Sequence, residues 1–250
     1  MAHLYYAEGQ ALEVGERITV AGDEGRHAVR VARLRAGERI QIGDGAGRIA
    51  AARVLETAGD AFDVAIDSVT DVAPNEVELT VVQALAKGDR SERAVELCTE
   101  FGVDTLAYWQ AERSVSRWQT PEKQRRGAAK WQRIAREAAK QSLRARVPQV
   151  TGFALSEFAA ERDPGHLIVV LDPDAEAKFS DTVRQWLAHP EITHTALTVV
   201  VGPEGGISDA ELRRFEQLGV ASVKLGDTVL RTSSAGAAAI ALFHAITGKW

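Results

Sequence analysis

The chain has one cysteine and one methionine in 250 residues, and each scarcity removes possibilities. A single thiol, Cys98, excludes an internal disulfide. Its neighbours Val95, Leu97 and Phe101 in the helix-like stretch SERAVELCTEFGV mark it as a core side chain rather than a reactive one. No run approaches the roughly 20 apolar residues that a membrane-spanning helix requires. The start, MAHLYYAEGQ, lacks the basic head and apolar stretch of a secretory signal. A cytoplasmic location, with no membrane partner, is therefore expected. The histidines His3, His27, His166, His189, His194 and His244 fall in no HExxH or paired Cys/His spacing, so no metal is expected. There is no GxxxxGK[ST] phosphate loop and no G-x-S-x-G nucleophile elbow.

What is present is an ordinary globular composition, 45% hydrophobic with a formal net charge of −5, long enough for two domains. The charge is uneven. From Glu112 to Arg146 eleven Lys or Arg stand against three Glu, a local +8 that leaves −13 elsewhere. Such a run is either a solvated helix face or a phosphate-contacting surface.

Short apolar runs separated by turns fill the first seventy residues (RITVAG, GERIQIGDGAGRIAAARVL, FDVAIDSVTDV) and predict a small antiparallel barrel or sandwich. Within them GDGAGR, followed by a strand, reads as a hairpin turn rather than a dinucleotide fingerprint. Pro74 and Asn75 mark a linker between domains spanning 1–72 and 76–250. Beyond it strands and helices alternate: LTVVQAL, a helix over DRSERAVELCTEFGV capped by Asp89, DTLAYW, a long helix over GAAKWQRIAREAAKQSLRAR, HLIVVLD, TALTVVVG, ASVKLG, and a last helix over SSAGAAAIALFHAI. That alternation predicts an α/β domain, a parallel sheet with helices on both faces.

Ligands of such sheets sit beyond the carboxyl ends of the strands. Three ends are unusual here: Leu171-Asp172-Pro173, Gly202-Pro203-Glu204-Gly205-Gly206, and Leu225-Gly226-Asp227 running into TVLRTSSAG. Glycine admits a ligand close to the backbone and proline stiffens the turn. Ser208 and Glu211 have capping-box spacing, so the helix start after the second turn is satisfied by its own side chains, which disfavours phosphate there. From spacing alone, a main-chain pocket and plain tight turns both stand.

The blocks LTVVQALAKGDRSERAVELCTEFGVDTLAYWQAERSV, KWQRIAREAAKQSLRARVPQV, VVVGPEGGISDAEL and LGDTVLRTSSAGAAAI occur in the order and spacing of the RsmE family, which the chain resembles over nearly its whole length. These are SPOUT-class methyltransferases acting on N3 of a uridine in bacterial 16S ribosomal RNA. The resemblance implies a PUA-like RNA-binding barrel, a SPOUT domain with a carboxyl-terminal trefoil knot, a homodimer, S-adenosylmethionine as cofactor, and 16S rRNA in the small ribosomal subunit as partner. It places Leu171, Val201, Gly202, Pro203, Gly205, Gly206, Leu225, Gly226 and Leu230 around the cofactor, with Thr232 and Ser234 at the rim. Arg231 becomes either the group that orients or stabilises the uridine or a structural ion-pair partner, and Glu204 either a proton acceptor or a loop carboxylate bonded to nearby amides. Arg33, Lys87, Arg90, Arg113 and Arg144 match positions expected to touch RNA, while Glu137, Gln141 and Arg144 would share one helical face, either as a polar network supporting the pocket or the dimer or as direct RNA contacts. The chain departs from the common Leu-Arg-x-Glu-Thr-Ala pattern by carrying Ser233 at the glutamate position. A non-catalytic assembly factor and a methyltransferase for another RNA are the competing functions.

Overall fold

A computed structural model describes residues 3–154 and 163–250, which form two compact units. The first is Met1–Pro74 together with Ala139–Val147; the second is Asn75–Ala138 together with Pro148–Trp250. The division after Pro74 falls at the linker, and residues 139–147, expected within the second domain, group with the first unit.

In the first unit, β1 (Leu4–Tyr6), β2 (Arg17–Val20), β3 (Arg39–Gly43), β4 (Arg48–Ala58) and β5 (Ala61–Asp71) form one sheet in the order β1-β3-β4-β5-β2. Alternation drives it: Ile40 and Ile42 of β3, Ala50, Ala52 and Val54 of β4, and Phe62, Val64 and Ile66 of β5 all enter one core. The sheet is antiparallel except for β1, which runs parallel to β3. The parallel pair departs from the antiparallel expectation, because a three-residue strand carries too little pattern to announce its direction. A short helix, α1 (Gly22–Arg26), and a π-type turn over His27–Val31 come after β2.

GDGAGR is the hairpin turn between β3 and β4, and its glycines have a further use. Gly47 sits at φ +122°, and a Cβ there would overlap the Arg146 guanidinium, 2.5 Å from Cζ. The Gly47 amide donates to Ala145 O (3.0 Å), and Val147 N donates to Gly45 O (2.9 Å). The returning segment 139–147 thus pairs with the turn by main chain. Its Ala139 packs with Leu4 and Tyr6, and the Lys140 ammonium meets Glu24 of α1 at 3.2 Å, both side chains buried.

The second unit contains β6 (Glu78–Ala84), α2 (Arg90–Glu100), β7 (Thr105–Trp109), most of α3 (Pro121–Gln141), β8 (Gln149–Gly152), β9 (His166–Leu171), α4 (Phe179–Leu187), β10 (Ala196–Val201), α5 (Asp209–Gln217), β11 (Ala221–Val223) and α6 (Thr232–Thr247). All six strands are parallel, in the order β11-β9-β10-β6-β7-β8. Both faces are buried. Leu79 and Val81 of β6 with Leu197, Val199 and Val201 of β10 pack with α2, α4 and α6, while Val82 and Val200 pack with Phe215 of α5. A Cβ on Gly236 of α6 would lie 3.0 Å from both Cys98 Sγ and Val81, so the glycine lets that helix settle close to the sheet. Cys98 is fully buried, and burial pushes its thiol up to about 12.

Two local expectations change. Asp89 stands at the start of α2 but makes no side-chain cap bond. The long helix, expected through Arg146, stops at Gln141, because Leu143 adopts φ +57°. Arg144 therefore leaves the face that Glu137 and Gln141 would share.

Candidate functional site

The three unusual turns lie along one edge because their strands finish side by side. Val223 of β11 stands opposite Leu171 of β9, and Val200 of β10 opposite Val170. On the other side Val201 is in register with Gln83 of β6. Neighbouring strands lie about 4.8 Å apart, so Leu171, Val201 and the approach to Leu225-Gly226 line one edge. Leu171 and Leu225 are half-buried against the core, and Leu230 is exposed.

The Gly202–Gly206 turn is held from several directions. Gly206 lies at φ +73° and its amide donates to Pro203 O at 2.9 Å. A Cβ on Gly202 would come within 2.6 Å of Ile207 Cγ1, so only glycine fits without displacing that branched side chain. Glu204 Oε1 accepts from the Lys87 amide at 2.9 Å and from Arg90 at 3.1 Å. Partial burial alone would raise the Glu204 carboxyl. Amide hydrogen bonds from its own backbone and from Lys87, with the Arg90 charge, outweigh that and hold it below its ordinary value. Arg113 donates to Ile207 O at 3.2 Å and approaches Gly205 O at 3.4 Å. Ser208 caps α5 as its spacing predicts: its hydroxyl accepts from Glu211 N at 3.2 Å, and its amide donates to the Glu211 carboxylate at 3.0 Å.

Arg231 is the N-cap of α6, with its carbonyl accepting from the Ser234 and Ala235 amides. Its side chain is exposed and makes no ion pair among the described residues. Thr232, the first residue of the helix, is buried, and its hydroxyl donates to Gly202 O at 2.6 Å. The Gln83 amide in turn donates to Thr232 Oγ1 at 2.9 Å. Ser234 donates its hydroxyl to Arg231 O at 3.2 Å, within the same turn of helix.

The structure thus brings together Lys87, Arg90, Arg113, Val201, Gly202, Pro203, Glu204, Gly205, Gly206 and Thr232, with Arg231 beside them. Arg33 and Arg144 belong to the first unit. Arg33 is exposed in a left-handed backbone conformation, φ +57°, and the Arg144 carbonyl accepts from the Tyr6 hydroxyl at 2.6 Å. Sequence reasoning missed Gln83. Its signal is an amide inside the apolar run LTVVQAL, which needs a partner when buried. A cavity of about 460 Å³ at the ends of β7 and β8, lined by Tyr108, Trp109, Gln124 and Phe153 among others, contains none of the expected site residues. The charged groups expected at the site converge instead at the glycine turn. Among the described residues no group of three or more His, Cys, Asp or Glu could hold a metal, and no helix is long and apolar enough to cross a membrane.

Residues 73–244 match the RNA methyltransferase domain family, and residues 20–67 match the RNA methyltransferase PUA domain family. The ribosomal RNA small subunit methyltransferase E of Mycobacterium bovis is 36% identical over 255 aligned residues, covering 100% of this chain and 94% of that protein. The crystal structure of a ribosomal RNA small subunit methyltransferase E from Neisseria gonorrhoeae bound to S-adenosyl methionine is 26% identical, with 98% of each chain covered and a TM-score of 0.83. A putative methyltransferase from Legionella pneumophila shares the fold at 24% identity and TM-score 0.83, with 98% of each chain covered. By family match and full-length identity together, the chain belongs to the RNA methyltransferase family that includes the ribosomal RNA small subunit methyltransferase E proteins.

Proposed function

We propose that this protein transfers a methyl group from S-adenosylmethionine to N3 of a uridine in the 16S ribosomal RNA of the small subunit. The observation that carries the reading is the glycine turn Gly202–Gly206, braced by Glu204, Arg90 and Arg113 and tied through Thr232 to the helix that begins at Arg231. The cofactor fits this edge on two counts. Gly202 and Gly206 keep the backbone bare, and Leu171, Leu225 and Leu230 offer partly exposed apolar surface beside it. Pro203 shapes the turn, while Val201, Gly205, Gly206, Gly226, Thr232 and Ser234 complete the set assigned to the cofactor.

S-adenosylmethionine supplies a methyl group already activated by its sulfonium, so the reaction needs position and electrostatics rather than a metal. Uridine N3 must lose its proton before or during attack. We assign Arg231 to the uridine: an exposed guanidinium suits the oxygen on which the uridinate charge collects. Glu204 has two open roles. A carboxylate held below its ordinary pKa is a weak base, and its bonds to the Lys87 amide and Arg90 favour the role of loop latch. Arg33, Lys87, Arg90, Arg113 and Arg144 are proposed RNA contacts, with Arg90 and Arg113 serving the loop as well. The trefoil threading and a homodimer complete the reading.

The test is to incubate the pure protein with labelled S-adenosylmethionine and small subunits lacking the modification, then map the label. Label on N3 of one 16S uridine is expected. Transfer to another RNA would replace the acceptor, and cofactor binding without transfer would leave the assembly role, for which Ser233 at the usual glutamate position is the observation.

A further inference from the structure

Gln83 is the largest polar side chain that is completely buried in the described structure, and it follows Val81 and Val82 in the buried half of β6. Its amide nitrogen donates twice, to Ala84 O at 3.1 Å and to Thr232 Oγ1 at 2.9 Å. The carbonyl of Ala84 can only accept, which fixes the nitrogen on that side and leaves Gln83 Oε1 as a buried acceptor with no hydrogen-bond partner among the described residues. Gly202 O can only accept, so the Thr232 hydroxyl, while accepting from Gln83, points its own hydrogen at it, 2.6 Å away. The result is a one-way chain: Gln83 amide to Thr232 hydroxyl to Gly202 carbonyl.

This chain ends on the first residue of the glycine turn and passes through the first residue of α6. We infer that Gln83 and Thr232 are positioning residues for methyl transfer, a polar relay that locks the start of α6, and with it Arg231, to the turn at Gly202. The inference deepens the proposed function and rests on it for the role of Arg231. An orphaned acceptor in a core is costly, and a leucine of similar size would remove the cost. What leucine would also remove is the donor that orients the threonine hydroxyl. Without it the hydroxyl can turn away from Gly202, and no side-chain cap on Arg231 compensates at the N-terminus of α6.

The relay predicts a particular pattern among variants. Thr232→Val keeps shape and removes the hydroxyl; Thr232→Ser keeps the hydroxyl; Gln83→Leu removes the donor, with Gln83→Met as a second choice should the leucine protein fold poorly. Thr232→Val and Gln83→Leu are expected to lower kcat about tenfold while the KM for small subunits stays within about threefold; because the relay also holds the turn assigned to the cofactor, S-adenosylmethionine should bind more weakly to both, and Thr232→Ser should recover most of the rate and of the affinity. The double variant Gln83→Leu/Thr232→Val should be no worse than the worse single one, because both break one chain. A readout independent of turnover goes with it. In the protein without cofactor, the Ser234 and Ala235 amides, which bond to Arg231 O, should exchange with deuterium faster in Thr232→Val and Gln83→Leu but not in Thr232→Ser. Folded single variants with kcat and amide exchange within about twofold of the parent would overturn the relay, as would additive losses or a serine variant as impaired as the valine one. If the unaltered protein transfers no methyl group, the proposed function fails, and the exchange measurement still decides whether the relay holds α6.

Discussion

At the scale of single residues, Glu204 is the group whose surroundings say most about its task. Its carboxyl is held below its ordinary value of 4.5 by amides and Arg90, so the latch it makes is fully present above pH 4.5. The latch is lost as pH falls through the lowered value, because protonation removes the charge that Arg90 and the Lys87 amide recognise. Affinity for S-adenosylmethionine should therefore decline in that acid window. Glu204→Gln should weaken the cofactor roughly three- to tenfold at neutral pH, the modest range of a partly exposed charge-assisted contact, and should flatten the acid decline. Titration calorimetry across about pH 3–7 checks both points. A variant that keeps the parent's acid profile would remove Glu204 as its source. The roles of such residues are only half legible in the sequence. GPEGG announces a turn by its glycines, yet nothing local says that its glutamate reaches Lys87 and Arg90, more than a hundred positions earlier.

At the scale of elements, the strands of the second unit are readable because both faces of a parallel sheet are buried, so β6, β9 and β10 appear as nearly unbroken apolar runs. Short or exposed elements are not. β8 is four residues with a mostly exposed pattern, and α4 escapes the sequence reading although Phe179, Val183 and Trp186 recur at helical spacing. The end of α3 departs from expectation for a physical reason. KQSLRAR continues the composition of the helix, and the turn at Leu143 is imposed by Ala145 and Val147, which pair with Gly47 and Gly45. The buried pair of Lys140 and Glu24, reinforced by the Tyr6 amide on Glu24 at 3.0 Å, secures this return within the first unit. Removing one partner leaves the other charge buried, at a cost of about 3–5 kcal/mol. Lys140→Ala should lower stability by that amount in urea unfolding. A loss below about 1 kcal/mol would show that the pair contributes little beyond packing.

At the scale of the whole molecule, a chain of net charge −5 that acts on RNA must concentrate its positive charge, and the Glu112–Arg146 segment does so. The sequence leaves two meanings for that run, a solvated face or a phosphate surface. The structure divides the segment by task. Arg113 braces the glycine turn, and Lys140 and Arg146 are used inside the first unit. Arg125, Arg126 and Arg133 of α3 are exposed and make no ion pair among the described residues. If these three meet phosphates, each releases a counterion on binding, at about 0.7 per contact for single-stranded nucleic acid. The logarithm of the association constant for small subunits should fall steeply against the logarithm of salt concentration. Replacing all three with alanine should reduce that slope by roughly 2 while leaving cofactor affinity unchanged. An unchanged slope would assign the face to solvation, and RNA recognition would then have to come from cations elsewhere, such as Lys87 beside the glycine turn and Arg33 in the first unit.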